Sequence, residues 1–445
     1  MTEKNIIRDL GDGLILRRAA IKDVDELAAF NSNVHKDDDA EGPDEFIAAW
    51  VHDLMTKPHP TLKEDDFTFV VDTKNGKIVS SLNLIPQTWS YAGIEFGVGR
   101  PELVGTDPGY RRRGLIRAQF EVIHQWSAER GHKMQAITGI PYYYRQFEYE
   151  MGLTLGGGRI GYLPHIPKLK DDEVEKYKFR PATCEDIPLI MQAYEKAARR
   201  SLIACLRDAA IWQYELTGKS EKIRANYQVI ETLEKEPVGF LALALASGLW
   251  KPVLRVWGYE LIPGISWLDV TPSVIRYLEK IGQEYAKKKE KVEFQGYNFN
   301  LGAEHTVYDV LPERMPRVAE PYAWYVRVPD LPDFLSHIGP VLERRLADSP
   351  LVGHTGDLKL SFFRSGVKLS FEGGKLKGVE AWMPESAEDG DVLFPDLTFL
   401  RVLLGYTSFA ELEKMFADCH ARNDHGRALM PVLFPKQASN VWCVG

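Results

Sequence analysis

Cysteine is scarce in this chain: Cys184, Cys205, Cys419 and Cys443 are the four in 445 residues, and no CxxC pair occurs. A disulfide framework is therefore not expected, which fits a reducing compartment. Long apolar runs are missing too. The longest uncharged one, PVGFLALALASGLW (237–250), is interrupted by glycines and falls short of the roughly 20 residues that span a bilayer. The opening MTEKNIIRDLGDG has no apolar core of leader-peptide size, so a cytoplasmic protein is expected, with no membrane partner. Positive charge is not in excess: 55 Lys and Arg against 63 Asp and Glu leave a net charge of −8, which gives nucleic-acid binding no electrostatic support. With 44% apolar and 11% aromatic residues, disorder is excluded as the general state. No metal is expected either. Cys419, His420 and His425 in CHARNDH lack a matching second half and read as a solvated helix end.

What is present begins with length, which suggests two to four domains. A weak internal repeat supports this: LRRAAIKDVDEL (16–27) aligns with FRPATCEDIPLI (179–190), matching Leu16 with Phe179, Arg17 with Arg180, Ala19 with Ala182 and Asp23 with Asp186. Each copy reads as a short strand, a polar turn and a helix with an acidic residue at its start, where the helix dipole favours it. After the first copy, FTFVVD and KIVSSLNLIP flank an Asn-Gly hairpin signal. After the second come the strands GFLALALAS and PVLRVWGYEL, then WLDVTP (267–272) as a strand before the helix SVIRYLEKIGQEYAKKKEK, whose lysine run 287–289 reads as a solvated end. From about residue 316 the texture changes to a strand and helix, a meander of strands, and two more helices, a third α+β unit.

The chemistry concentrates in VGTDPGYRRRGLIRAQF (104–120). A strand, a tight basic loop and a helix make an anion site, because the first N–H groups of a helix lack partners and point outward. Ile116, Phe120, Ile123 and Trp126 share one buried face of that helix, and Gly131 is its stop. A nucleotide P-loop needs GxxxxGKS or GxxxxGKT, which is absent. The GxGxxG match GGGRIG (156–161) runs into prolines and reads as a strand or turn. Coenzyme A is the remaining common pyrophosphate guest.

Here the sequence resembles the GNAT acetyltransferases, whose pyrophosphate motif is Arg/Gln-x-x-Gly-x-Gly/Ala. It reads Arg111-Arg112-Arg113-Gly114-Leu115-Ile116, departing at Ile116. YYRQFEYEMGL (143–153) resembles the family's YxxxGF segment, with Glu148 in place of glycine and Tyr149 in place of phenylalanine. The order of an active GNAT domain, a second one without the loop and a last domain containing PDLTFLRVLLGYTSF and LFPKQASNVWCVG resembles the enhanced intracellular survival (Eis) family of N-acetyltransferases.

That resemblance implies an α+β fold of tandem GNAT domains (1–165 and 166–315) followed by a sterol-carrier-like domain (316–445). It implies acetyl-CoA as co-substrate and a small-molecule primary amine, aminoglycoside-like or polyamine, as acceptor. The expected homo-oligomer is a hexamer. Val104, Gly105 and Thr106 would pair with pantetheine, with a backbone N–H near Thr106 polarising the acetyl carbonyl. Arg111, Arg112, Arg113, Gly114, Leu115, Ile116 and Arg117 would surround the pyrophosphate, and Gly139 and Ile140 would also bind the co-substrate. Tyr144 would be the general acid and the carboxylate of Gly445 the base. Residues alone leave Tyr144 open as a packed aromatic, Gly445 as a frayed tail, HKDDDAEGPDEF (35–46) as either an acidic substrate mouth or a solvated loop, and the whole as a non-catalytic acyl-CoA or lipid-binding assembly protein.

Overall fold

A computed structural model describes residues 5–38, 40–243, 253–288 and 293–445. The elements are β1 (Ile6–Asp9), β2 (Leu14–Arg18), α1 (Val24–Val34), α2 (Glu45–Thr56), β3 (Phe67–Asp72), β4 (Lys77–Tyr91), β5 (Ile94–Thr106), α3 (Leu115–Glu129), β6 (Met134–Ile137) and β7 (Glu150–Leu155). The β3–β4 turn carries Gly76 at φ +73°, as its Asn-Gly signal implies.

A second run follows: β8 (Gly158–Tyr162), β9 (Tyr177–Pro181), α4 (Ile187–Ala198), β10 (Ile203–Cys205), α5 (Ala209–Gln213), β11 (Asn226–Thr232), β12 (Pro237–Leu243), β13 (Val253–Leu261), α6 (Trp267–Lys287), β14 (Gly296–Phe299), α7 (Thr306–Val310) and β15 (Arg317–Ala319). The two repeats fold alike down to their hydrogen bonds. Asp23 accepts from the N–H of Ala20 at 2.9 Å, and Asp186 from that of Thr183 at 2.8 Å. WLDVTP is not a strand but the first turn and a half of α6. Ser266 caps it by accepting from the N–H of Asp269, and Pro272, in the second turn, leaves the carbonyl of Leu268 without its helical donor. The end of the apolar run, 244–250, and Lys289 lie outside the described residues.

The last run is β16 (Tyr322–Arg327), α8 (Leu331–His337), α9 (Gly339–Ala347), β17 (Gly356–Ser361), β18 (Gly366–Glu372), β19 (Lys375–Trp382), β20 (Val392–Leu393), α10 (Phe399–Leu403), α11 (Phe409–Met415), β21 (His420–Ala421) and α12 (Asp424–Leu433). CHARNDH is thus not a helix end. Cys419 is buried, His420 sits in β21, and Asn423 caps α12.

Among the described residues the strands form three sheets, ordered β1-β2-β3-β4-β5-β6-β16-β7 with β10 beside β4, β15-β8-β14-β13-β12-β11-β9, and β19-β18-β17-β20-β21. Late strands thus enter early sheets. β16 wedges between β6 and β7, antiparallel to both. The buried side chains of the third sheet's helices run continuously into Trp89, Tyr91 and Trp324 of the first sheet. The fold is mixed α+β.

Candidate active site

The site begins with a break in the first sheet. β5 and β6 run parallel and pair only at Val98 with Met134 and Gly99 with Gln135. Beyond that point β6 pairs only along its other edge, with β16, and among the described residues Arg100 to Thr106 of β5 have no strand partner on the side that faces β6. A bulge sharpens the divergence. Ser81 faces Gly105 and Asn83 faces Glu102, so one residue of β4 opposes Leu103 and Val104, with Leu103 at φ +53°. The result is a cleft of about 880 Å³ between the two strand ends.

One wall is the helix start. Gly114 takes φ +75° as the N-cap of α3 and offers no side chain to its orphan N–H groups; Arg112 at φ +63° turns the loop before it. Successive N–H groups in such a loop form an anion-binding concavity. Among the described residues the side chains of Arg111 and Arg112 have no ion-pair partner, Arg113 reaches Asp12 at 3.5 Å, and Arg117 donates to Gln146 at 3.2 Å. Asp107 accepts from the N–H of Gly109, and Tyr110 donates to Asp72 at 2.7 Å, fixing the loop's entry. The end of β5 is anchored from below by a buried polar chain. Thr68 donates to Gln119, Gln119 to Ser80 at 2.7 Å, and Ser80 to the carbonyl of Gly105 at 2.9 Å. Ile116 is buried against the core beneath and keeps one edge on the cleft.

The opposite wall is Ile137 to Ile140 and the turn 143–147. Tyr144 is buried, and its Oη lies 3.5 Å from where a side chain on Gly139 would begin. Burial, with the Glu102 carboxylate adding to it, holds the phenol above its ordinary pKa, so it stays protonated at neutral pH. Tyr149, whose Oη lies 2.9 Å from Nε2 of His124, is a core residue.

Behind the Trp50 side of the cleft lies the segment 442–445. Val444 is fully buried, and its carbonyl accepts from Gln87 at 2.6 Å and Arg100 at 2.9 Å. Arg207, also buried, donates to the carbonyls of Trp442 and Cys443. Gly445 abuts Arg100 and Trp50: a side chain there would stand 3.2 Å from Nη1 and 3.4 Å from the indole. Arg100 in turn pairs with Glu102, which lines the cleft beside Tyr144. The tail is docked rather than frayed.

Val104, Gly105, Thr106, Arg111 to Arg117, Gly139, Ile140 and Tyr144 therefore all line one cleft, with Gly445 behind its Trp50 wall. Trp50, Gln87, Arg100, Glu102 and Arg207 were not singled out from sequence. A hint lay in the alternation of Arg100 and Glu102 on β5. Of HKDDDAEGPDEF, His35 and Lys36 line the cleft, Asp44 caps α2, and Glu45 pairs with Lys222 at 2.9 Å; Asp39 lies outside the described residues. Among the described residues no group of three or more His, Cys, Asp or Glu side chains is placed to hold a metal, and no helix is long and apolar enough to cross a membrane.

Residues 16–152 match the family model of the acetyltransferase (GNAT) domain. That segment of the chain is thus a GNAT acetyltransferase domain. No curated protein matches the sequence. Among solved structures, a probable N-acyltransferase from Enterococcus faecalis is similar at TM-score 0.63 and 13% identity over 96% of this chain and 97% of that one. A GCN5-related N-acetyltransferase from Kribbella flavida is similar at 0.63 and 15% identity, over 97% and 100%. Eis1 from Mycobacterium abscessus is similar at 0.57 and 13% identity, over 96% and 98%. At such identities the likeness is one of fold, and it extends over nearly the whole chain.

Proposed function

We propose that the protein transfers an acetyl group from acetyl-CoA to a primary amine, of the polyamine or aminoglycoside-like class. The observation that carries this is the convergence of three things on one cleft: an uncapped, arginine-rich helix start, a free strand edge, and the protonated phenol of Tyr144. The edge Val104–Thr106 offers main-chain groups to the pantetheine arm, as a strand added to a sheet. Arg111 to Arg117 with the N–H groups at Gly114 suit a pyrophosphate. Glu102 and the terminal carboxylate of Gly445 draw a cationic amine to the cleft's inner end.

The carboxylate of Gly445 takes a proton from the ammonium group, and the free amine attacks the acetyl carbonyl, polarised by a backbone N–H near Thr106. The C–S bond breaks, Tyr144 gives its proton to the departing thiolate, and the second proton lost by the attacking nitrogen restores the Tyr144 phenol as the amide forms. Residues 1–165 are the catalytic unit in this reading, 166–315 a second unit of the same build without the anion loop, and 316–445 a sterol-carrier-like unit. The assembly is a hexamer, which light scattering would measure.

The test is thiol release from acetyl-CoA with a panel of polyamines, aminoglycosides and peptide amines, comparing wild type with Tyr144→Phe. Turnover falling about 10²-fold while acetyl-CoA still binds supports the assignment. Full turnover in Tyr144→Phe overturns Tyr144's role, and tight acetyl-CoA binding without turnover of any amine turns the reading toward a binding module.

A further inference from the structure

The turn that carries Tyr144 begins and ends in backbone that side chains avoid. Tyr142, just before it, has φ +63°, and Glu148, just after it, has φ +68°. In this left-handed region a β-carbon crowds the adjacent carbonyl. Glycine enters freely, whereas other residues stay only where their surroundings fix them. Neither Tyr142 nor Glu148 is glycine, and both side chains are exposed, so packing of their own does not hold them.

Both ends are held instead by one strand from the far end of the chain. The N–H of Tyr142 donates to Oη of Tyr325. Arg327 takes Oε2 of Glu148 between Nε at 3.0 Å and Nη2 at 2.8 Å, and its Nη1 donates to Gln135 at 3.1 Å. Tyr325 and Arg327 are two residues apart on β16 and so share one face of the sheet. Tyr325 is fully buried, with its ring edge-on to Tyr144 at 5.5 Å between centroids. A third tie comes from within the turn. Arg145 pairs at 2.8 Å with the fully buried Glu150, which Arg401 of α10 also holds at 2.7 Å.

We propose that Tyr325 and Arg327 are positioning residues for acetyl transfer: they fix the two left-handed ends of the 142–148 turn and so hold the Tyr144 phenol beside Gly139 on the cleft wall. The last third of the chain then supplies a working part of the first unit's site. This rests on Tyr144 being the proton donor.

Glu148 is exposed, so its variants test the idea without endangering the fold. Glu148→Ala and Glu148→Gly both remove the carboxylate, but only glycine accepts φ +68° unaided. Amide hydrogen exchange across 142–149 should rise about tenfold in Glu148→Ala and stay near wild type in Glu148→Gly, with kcat falling about fivefold only in the former and the KM for acetyl-CoA unmoved in both. Arg327→Ala should mimic Glu148→Ala, and adding Glu148→Gly should restore exchange and kcat. Tyr325→Phe keeps the ring and removes the acceptor, and should raise exchange at Tyr142. In a Tyr144→Phe background, Arg327→Ala should cost no further kcat. Equal exchange in Glu148→Ala and Glu148→Gly, or no rescue of Arg327→Ala by glycine, overturns the proposal. If Tyr144→Phe turns over at the full rate, the assignment of Tyr144 falls, and with it the positioning role, while the exchange data separately decide whether β16 holds the turn.

Discussion

The first and second sheets contain the same strand-to-helix junction built to opposite ends. In the first, β5 passes to α3 through Tyr110–Gly114, with Gly114 as a bare N-cap, no acidic residue in the first helical turn, and three consecutive arginines in the loop. In the second, β13 passes to α6 through Pro263–Ser266. There Ser266 fills the helix start with its own hydroxyl, Asp269 supplies the negative charge that the dipole favours, and no arginine is present. Both sheets diverge at this point, since β13 and β14 pair only from Val253 with Gly296 to Val256 with Phe299. Strand divergence alone therefore does not make an anion site. What differs is whether the helix satisfies its first N–H groups itself or leaves them for a guest.

The largest effect should come from reversing charge in the uncapped junction. Arg113→Glu puts a carboxylate where a pyrophosphate would sit, and should weaken acetyl-CoA at least about 30-fold by calorimetry. The same titration on wild type should give one acetyl-CoA per chain. Two would break the comparison, because the self-capped junction would then bind as well. A paired substitution sharpens it. Gly114 at φ +75° and Gly264 at φ +87° both have open space around them, so alanine at either costs about 1 kcal/mol through backbone conformation alone. Both variants should melt a few degrees lower, yet only Gly114→Ala should weaken acetyl-CoA, by about tenfold.

A smaller effect concerns the tail that the two units share. Arg207, just after β10, and Arg100, from β5, both hold carbonyls of the last four residues. Removing Gly445 leaves these bonds in place. It should lower kcat about tenfold without changing acetyl-CoA affinity or melting temperature, whereas Arg207→Met should lower the melting temperature as well.

Local signals carried the repeat, the hairpin and the anion loop, because each is set by residues adjacent in sequence. The misreadings have equally local causes. WLDVTP looks like a strand because Trp267, Val270 and Thr271 favour one, but Ser266 and Asp269 make a better helix start, and the apolar face continues through Val274, Ile275 and Leu278 into the core. What sequence could not show was contact across the chain. Arg327 with Glu148, Arg401 with Glu150, and Gln87 with Val444 join residues hundreds of positions apart, and nothing in their immediate neighbours marks them. Glu148 was visible as a departure from glycine. That its backbone is left-handed and held from β16 was not.

The seam between the two units offers the mildest test, through pH. His59, in the loop after α2, lies edge-on to Tyr214 of the second unit at 4.6 Å, and its Nδ1 accepts from the N–H groups of Leu62 at 3.0 Å and Thr61 at 3.2 Å. An accepting Nδ1 with burial around it favours the neutral ring, and burial, aided by the Lys219 charge, lowers the pKa to about 4 against an ordinary value near 6.5. The folded-state value is depressed, so this group's contribution to stability is complete above about pH 6.5 and is lost as pH falls toward 4, where the unfolded chain binds a proton that the folded one resists. His132, lowered to about 4, and His124, lowered to about 3, act in the same direction within the first unit. His59→Asn keeps an acceptor for the two N–H groups and removes one titration. Calorimetric melting between pH 7 and 4 should then show the variant losing a few degrees less than wild type, with the difference opening below pH 6.5. Parallel acid limbs would mean that His59 is already solvated in the folded protein, and that the two units meet there more loosely than the first sheet meets β16.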